Sequence, residues 1–165
     1  MPAPAPGFSK AQIILHWLIA ALVLFQLLFA EGMEEMMEAG EEGERLSSTD
    51  AFLGSAHYWV GIAILGLVAL RLVLRLRNGA PAPAGEAGSA AQLAARTMQV
   101  LFYVLLVVVP VVGLLAYYVG EPWDDLHQLA KPAFILLIAV HAAAALYHQF
   151  VLRDGALTRM LVPRS

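Results

Sequence analysis

Four stretches of the chain carry no Asp, Glu, Lys or Arg: Ala11–Ala30, Ala51–Leu70, Thr97–Gly120 and Pro132–Leu152. Each is at least 20 residues long. A helix rises about 1.5 Å per residue, so about 20 residues cross the hydrocarbon core of a bilayer. The pattern predicts four membrane-spanning helices, over about 10-30, 49-76, 93-119 and 123-152, in a single domain covering 1-165. Four buried helices of a soluble protein are the weaker reading at these lengths.

The polar segments between the runs give the rest of the plan. Residues 31-48 form an acidic loop, and from Glu31 to Asp50 there are seven Glu, one Asp and one Arg. "SSTD" at 47–50 reads as the N-cap of the second span. "RNGAPAPAGEAGSAAQ" is rich in Pro, Ala and Gly and predicts an irregular loop, and "MPAPAPG" a disordered start. The turn "GEPW" is short, so the third and fourth spans should be antiparallel neighbours. Pro110 and Pro132 should kink their helices. Trp17, Trp59, Trp123, Tyr117 and Tyr118 fall near span ends, as interfacial aromatics do. The first run is too long for a secretory signal, and "LFAEG" is a poor cleavage site, so it reads as a span.

Basic residues orient the bundle. One side receives Lys10, Arg71, Arg75, Arg77, Arg96, Arg153, Arg159 and Arg164, and the other only Arg45 and Lys131. Eight against two predicts that both termini face the cytoplasm. The fold class expected is all-α integral membrane, a four-transmembrane-helix bundle with both termini cytoplasmic. Composition agrees: 60% of residues are hydrophobic and 14% charged, against about 45–50% and about 25% in soluble domains. There is no cysteine, which excludes disulfides, thiolate-bound clusters and covalently attached haem.

The candidate chemistry lies in the histidines. All five, His16, His57, His127, His141 and His148, fall in or beside the apolar runs, where ionisable side chains are costly and mark function. A hydrogen-bonded packing role is the plain alternative for any one of them. His127 and His141 lie about 21 Å apart along one helix and within about 40° of one face. His57 falls near the outer end of its span and His16 near the inner end of its own. Each level thus offers imidazoles from two helices. Two facing imidazoles suit a six-coordinate haem b, which needs no covalent link. Zinc takes further ligands that a two-histidine level lacks. Depth alone leaves open whether His141 or His148 partners His16.

"LHWL" at 15–18, "AHYWVG" at 56–61, "LRLVLRL" at 70–76 and "HAAAALYHQFVLRDGALTRML" at 141–161 together resemble the bacterial cytochrome b561 family, from about Ser9 to Pro163. The resemblance implies four membrane helices and two non-covalent haem b groups. It implies His16 with His141 for the inner haem and His57 with His127 for the outer one. His148 would stand beside an inner propionate or a quinone. The sequence departs from the family's pattern at Gln99, a position where members often carry His, and in its acidic outer loop.

Arg71 and Arg75 are candidates for haem propionates as well as membrane anchors, with Lys131 and Arg45 weaker outer candidates. Ala142 to Ala145 and Gly61 would let a flat macrocycle near the backbone, or simply let helices pack. Met33, Met36 and Met37 could hold Cu(I), but read better as the apolar side of a surface helix. The expected function is electron transfer through two bis-histidine haems, between ubiquinone in the membrane and a cationic periplasmic redox protein drawn to Glu31–Glu44. Superoxide oxidation is the alternative, and the acidic loop argues against an anionic substrate. A haem-free membrane subunit or metal permease is the reading from another class. An anchor role in a larger complex is weaker, since the chain offers no obvious docking domain.

Overall fold

A computed structural model describes residues 7–79, 81–82 and 88–163. The expectation of a disordered N-terminus falls outside the described residues over 1–6, and that of an irregular loop does so at 80 and 83–87. Four helices are long and apolar enough to cross a membrane, and the described residues contain no strand.

The first is α1, Lys10–Leu28. Ser9 starts it: its hydroxyl accepts from the Gln12 N–H, while the Gln12 side chain accepts from the Ser9 N–H. This reciprocal cap satisfies two donors that a helix start leaves open. A short amphipathic helix, α2, follows over Glu31–Glu42 and ends at Gly43 in the left-handed region, φ 68°. Two long helices come next, α3 over Ser48–Asn78 and α4 over Ala90–Val119. Ser47 and Ser89 cap them by accepting from the N–H groups of Asp50 and Gln92.

The fourth crossing is segmented. It begins as α5, Trp123–Gln128, and continues as α6, Ala130–Tyr147, and a π-helical turn, His148–Leu152. Pro132 sits in the first turn of α6, where the missing N–H costs no bond within α6. The interruption it causes lies upstream, at Leu129. Pro110 is carried inside α4, which stays helical to Val119.

The helices alternate in direction. The start of α1, the end of α3, the start of α4 and the C-terminal segment meet at one end of the bundle, called here the termini end. There the Gln12 Nε2–H donates to the Gly79 carbonyl and the Trp17 indole N–H to the Met160 carbonyl, both at 2.9 Å. At the other end the Tyr58 and Tyr118 hydroxyls hydrogen-bond at 2.9 Å.

The centre is a small apolar cluster of Ile19 and Val23, Ile64 and Val68, Leu106, and Phe134. In a membrane such contacts hold helices by close packing, because lipid tails are as apolar as the side chains themselves. Packing runs from α1 to α3, α3 to α4 and α4 to α6, while α1 and α6 are not among the closely packed pairs. The large apolar side chains left outward, among them Leu24, Phe52, Leu136 and Phe150, suit a lipid-facing surface.

Candidate metal-binding site

Four histidines form two facing pairs. His16 of α1 and His141 of α6 have ring centres 6.4 Å apart, with planes at 68°. His57 of α3 and His127 of α5 have ring centres 6.1 Å apart, with planes at 81°. The first pair lies toward the termini end and the second toward the opposite end. Phe134, seven residues from both His127 and His141, packs in the core between the two levels.

The spacing admits a metal ion between the rings. A first-row metal holds an imidazole nitrogen at about 2 Å, and that nitrogen lies roughly 1.1 Å from its ring centre, so two imidazoles on opposite sides of one ion have centres about 6 Å apart. Both pairs match. Among the described residues, no three His, Asp or Glu side chains converge on one point, which disfavours a closed zinc site. A flat macrocycle also needs room beside its ligands: α1 and α6 are not among the closely packed helix pairs, and His141 and Ala142 to Ala144 are exposed on α6.

One imidazole has its orientation and tautomer fixed. The His127 Nδ1 lies 3.2 Å from the Val109 carbonyl oxygen. A carbonyl only accepts, so Nδ1 carries the proton and Nε2 keeps its lone pair for a metal. Gly113 makes this approach possible: a Cβ there would lie 2.8 Å from His127 Cε1 and 3.1 Å from Nδ1. Gly113 carries no signal of this in the sequence, because a glycine in an apolar span does not show which face it presents. Gly61 has no comparable duty, since its nearest neighbour is the Gln26 side chain at an ordinary 3.5 Å.

The other rings are seated by packing. Trp17 meets His16 edge-on at 5.3 Å, and Phe102 meets His141 at 5.2 Å. The Gln26 Nε2–H donates to the His57 carbonyl at 2.9 Å. The His57 Nδ1 and the Gln26 Oε1 are both buried without a partner.

Two arginines lie on the termini side of the first pair. The Arg71 Nη1–H donates to the Gln12 carbonyl at 2.9 Å, one turn before His16. The Arg75 Nη2–H donates to Gln99 Oε1 at 3.0 Å, and Gln99 precedes Phe102 on α4. Gln99 therefore anchors a guanidinium here. Arg45 and Lys131 are exposed at the far end. His148 stands apart from both pairs: its Nδ1–H donates to Asp154 Oδ2 beyond the π turn. Of Met33, Met36 and Met37, Met36 packs against Gly54 of α3. Glu34, Glu35, Glu38, Glu41 and Glu42 are exposed on α2.

The chain is similar to known proteins over nearly its whole length. The family model described as prokaryotic cytochrome b561 matches residues 7–163. A protein named cytochrome b562 from Cereibacter sphaeroides is 39% identical over 160 residues, covering 96% of this chain and 98% of the relative. Cytochrome b561 homolog 1 of Escherichia coli strain K12 is 28% identical, covering 96% of this chain and 98% of its own. A probable superoxide oxidase, CybB, of Yersinia pestis is 27% identical, covering 93% and 95%. The chain therefore belongs to the prokaryotic cytochrome b561 family, bacterial integral membrane b-type cytochromes that bind haem b and transfer electrons.

Proposed function

We propose that this chain is one four-helix domain that carries electrons across the bacterial inner membrane through two haem b groups, between the quinone pool and a redox partner at the outer face. The observation that carries the reading is the two imidazole pairs, with ring centres 6.4 and 6.1 Å apart, at opposite ends of the bundle. His16 and His141 would hold the haem on the cytoplasmic side, and His57 and His127 the one on the outer side. Bound haem supplies a one-electron couple. The protein's part would be to hold each haem with a pair of neutral imidazole nitrogens, a ligand set suited to electron transfer. Arg71 and Arg75 supply positive charge beside the inner pair, suited to propionates. His148, hydrogen-bonded to Asp154, lies on the same side and is suited to hydrogen-bond a quinone.

The acidic face of α2 favours a cationic outer partner over an anion. Superoxide oxidation stays the second reading, supported by the similarity to the probable superoxide oxidase. Ionic strength separates the two. Attraction of a cationic protein weakens with salt, whereas repulsion of superoxide by the glutamates is relieved by it.

The deciding experiment is an absorption spectrum of detergent-purified protein, oxidised and dithionite-reduced, with haem counted per polypeptide. Two low-spin haems are expected. His16→Ala or His141→Ala should remove one, and His57→Ala or His127→Ala the other. A colourless protein, or loss of a haem in His148→Ala but not in His141→Ala, would overturn the assignment.

A further inference from the structure

The pair at the end opposite the termini is unequally equipped. Metal-bound imidazole offers its second ring N–H to an acceptor, which fixes the ring and raises its basicity. His127 has that acceptor, the Val109 carbonyl, at 3.2 Å. His57 has none, although its Nδ1 is buried. One side chain beside it has an acceptor to spare. Gln26, on the last turns of α1, is held against His57 by the bond from its Nε2–H to the His57 carbonyl, at 2.9 Å. The same amide's Oε1 is buried and unpartnered. An orphan ring nitrogen and an orphan carbonyl oxygen therefore belong to two residues already in contact, in a segment otherwise apolar. In such surroundings an unmet donor and an unmet acceptor are each unfavourable, and meeting satisfies both.

We infer that Gln26 is a positioning residue for the outer haem: its Oε1 takes the Nδ1–H of His57 when His57 Nε2 binds iron, and so sets the basicity of that ligand and the reduction potential of that haem alone. The inference rests on the reading of His57 and His127 as haem ligands. Gln26 touches the ligand and not the iron, so its effect is electronic. A neutral amide acceptor lends the imidazole moderate basicity. A carboxylate in its place would lend more and favour ferric iron. An apolar side chain would lend none and favour ferrous iron.

The test is a potentiometric titration of the purified haem-loaded protein, followed optically, for wild type, Gln26→Met and Gln26→Glu. Gln26→Met should raise one of two couples and Gln26→Glu should lower the same one, with the other couple unmoved. The expected size is roughly a three- to tenfold change in the ferric-to-ferrous preference, the upper end being ~59 mV for a one-electron couple. The Gln26 assignment is overturned if both variants keep two haems and neither couple moves, as when a carbonyl of α3 itself takes the proton. It is overturned equally if both variants shift a couple in the same direction, or if neither variant folds, since Gln26 is then structural. Failure of the underlying ligand reading looks different. Wild type would then hold fewer than two haems, or keep both in His57→Ala.

Discussion

At the scale of single residues, what distinguishes this bundle is how closely side chains are set against the four facing imidazoles. Gly113 is the clearest case. In Gly113→Ala the new methyl would stand 2.8 Å from His127 Cε1, and relief requires the ring to leave the Val109 carbonyl. Overpacking of this kind costs about 1–3 kcal/mol. The expected outcome is loss of the haem assigned to His57 and His127 with the other retained, read as haem per polypeptide in the reduced spectrum. Asp154 gives a second prediction. Burial pushes its carboxyl up, but the hydrogen bond from His148, the Ala156 N–H and the charges of His148 and Arg159 outweigh this and hold it below the ordinary carboxylate range. A depressed folded value means the stabilisation is complete above the ordinary range and disappears as pH falls through the lowered one. Proteolysis of the C-terminal segment should therefore be flat from neutral pH down into the mildly acid range and rise only below it, while in Asp154→Asn it should be faster at neutral pH. The five histidines were legible as candidates because ionisable groups stand out in an apolar run. Their depth left His16 open between two partners; the family resemblance implied His141, and the folded geometry sets those two rings 6.4 Å apart. Gly113 and Gln26 were not legible, since their meaning lies in which neighbour they face.

Among elements, α2 is the one whose attachment can be tested without touching the histidines. It lies on the start of α3 through two glycines. A Cβ on Gly54 would meet the Gly32 carbonyl oxygen at 2.8 Å and Met36 Sδ at 2.8 Å, and a Cβ on Gly32 would collide with Leu53 Cβ. Such backbone-to-backbone approach is what small residues allow between packed helices. Gly54→Val should pry α2 away at a cost of about 1–3 kcal/mol while the four spans persist. The chain has no cysteine, so Met36→Cys provides a single reporter. Its thiol should react at least severalfold faster with a soluble maleimide in the Gly54→Val background, with the haem spectrum unchanged. An equal rate would mean that the glycine contact does not hold α2. The long helices were legible from charge-free length, and the start of α3 from its Ser47–Asp50 cap, because a bilayer demands both a minimum length and paired backbone groups. The break at Leu129 was not. Pro132 marked the neighbourhood, but a proline displaces the interruption upstream to where its ring and missing N–H are felt.

For the whole molecule, an even number of crossings puts both ends of the chain on one side, and the charges decide which. Among the described residues the termini end collects seven of nine basic residues, whereas α2 sets a row of exposed glutamates at the other. Lys and Arg near short loops stay on the cytoplasmic side, while acidic residues contribute little to orientation. The field at the far end is thus a consequence of topology and also its functional opportunity: a negative mouth above the His57 and His127 level. Glu38→Cys and Thr158→Cys, both at exposed positions, test this in intact cells with a thiol reagent that does not cross membranes. Cys at 38 should be modified in whole cells, and Cys at 158 only after the membrane is opened. The reverse pattern would place the acidic helix in the cytoplasm, beside the wrong pool of partners, and would exchange the inner and outer assignments of the two histidine pairs. With the expected pattern, neutralising Glu34, Glu35, Glu38 and Glu41 to Gln should slow reduction or oxidation by a basic redox protein by about tenfold at low ionic strength, the lower end of what focused fields contribute. The difference should shrink as salt approaches physiological strength, where exposed charges are screened within about 8 Å. An unchanged rate at low salt would mean that electrons enter or leave away from α2.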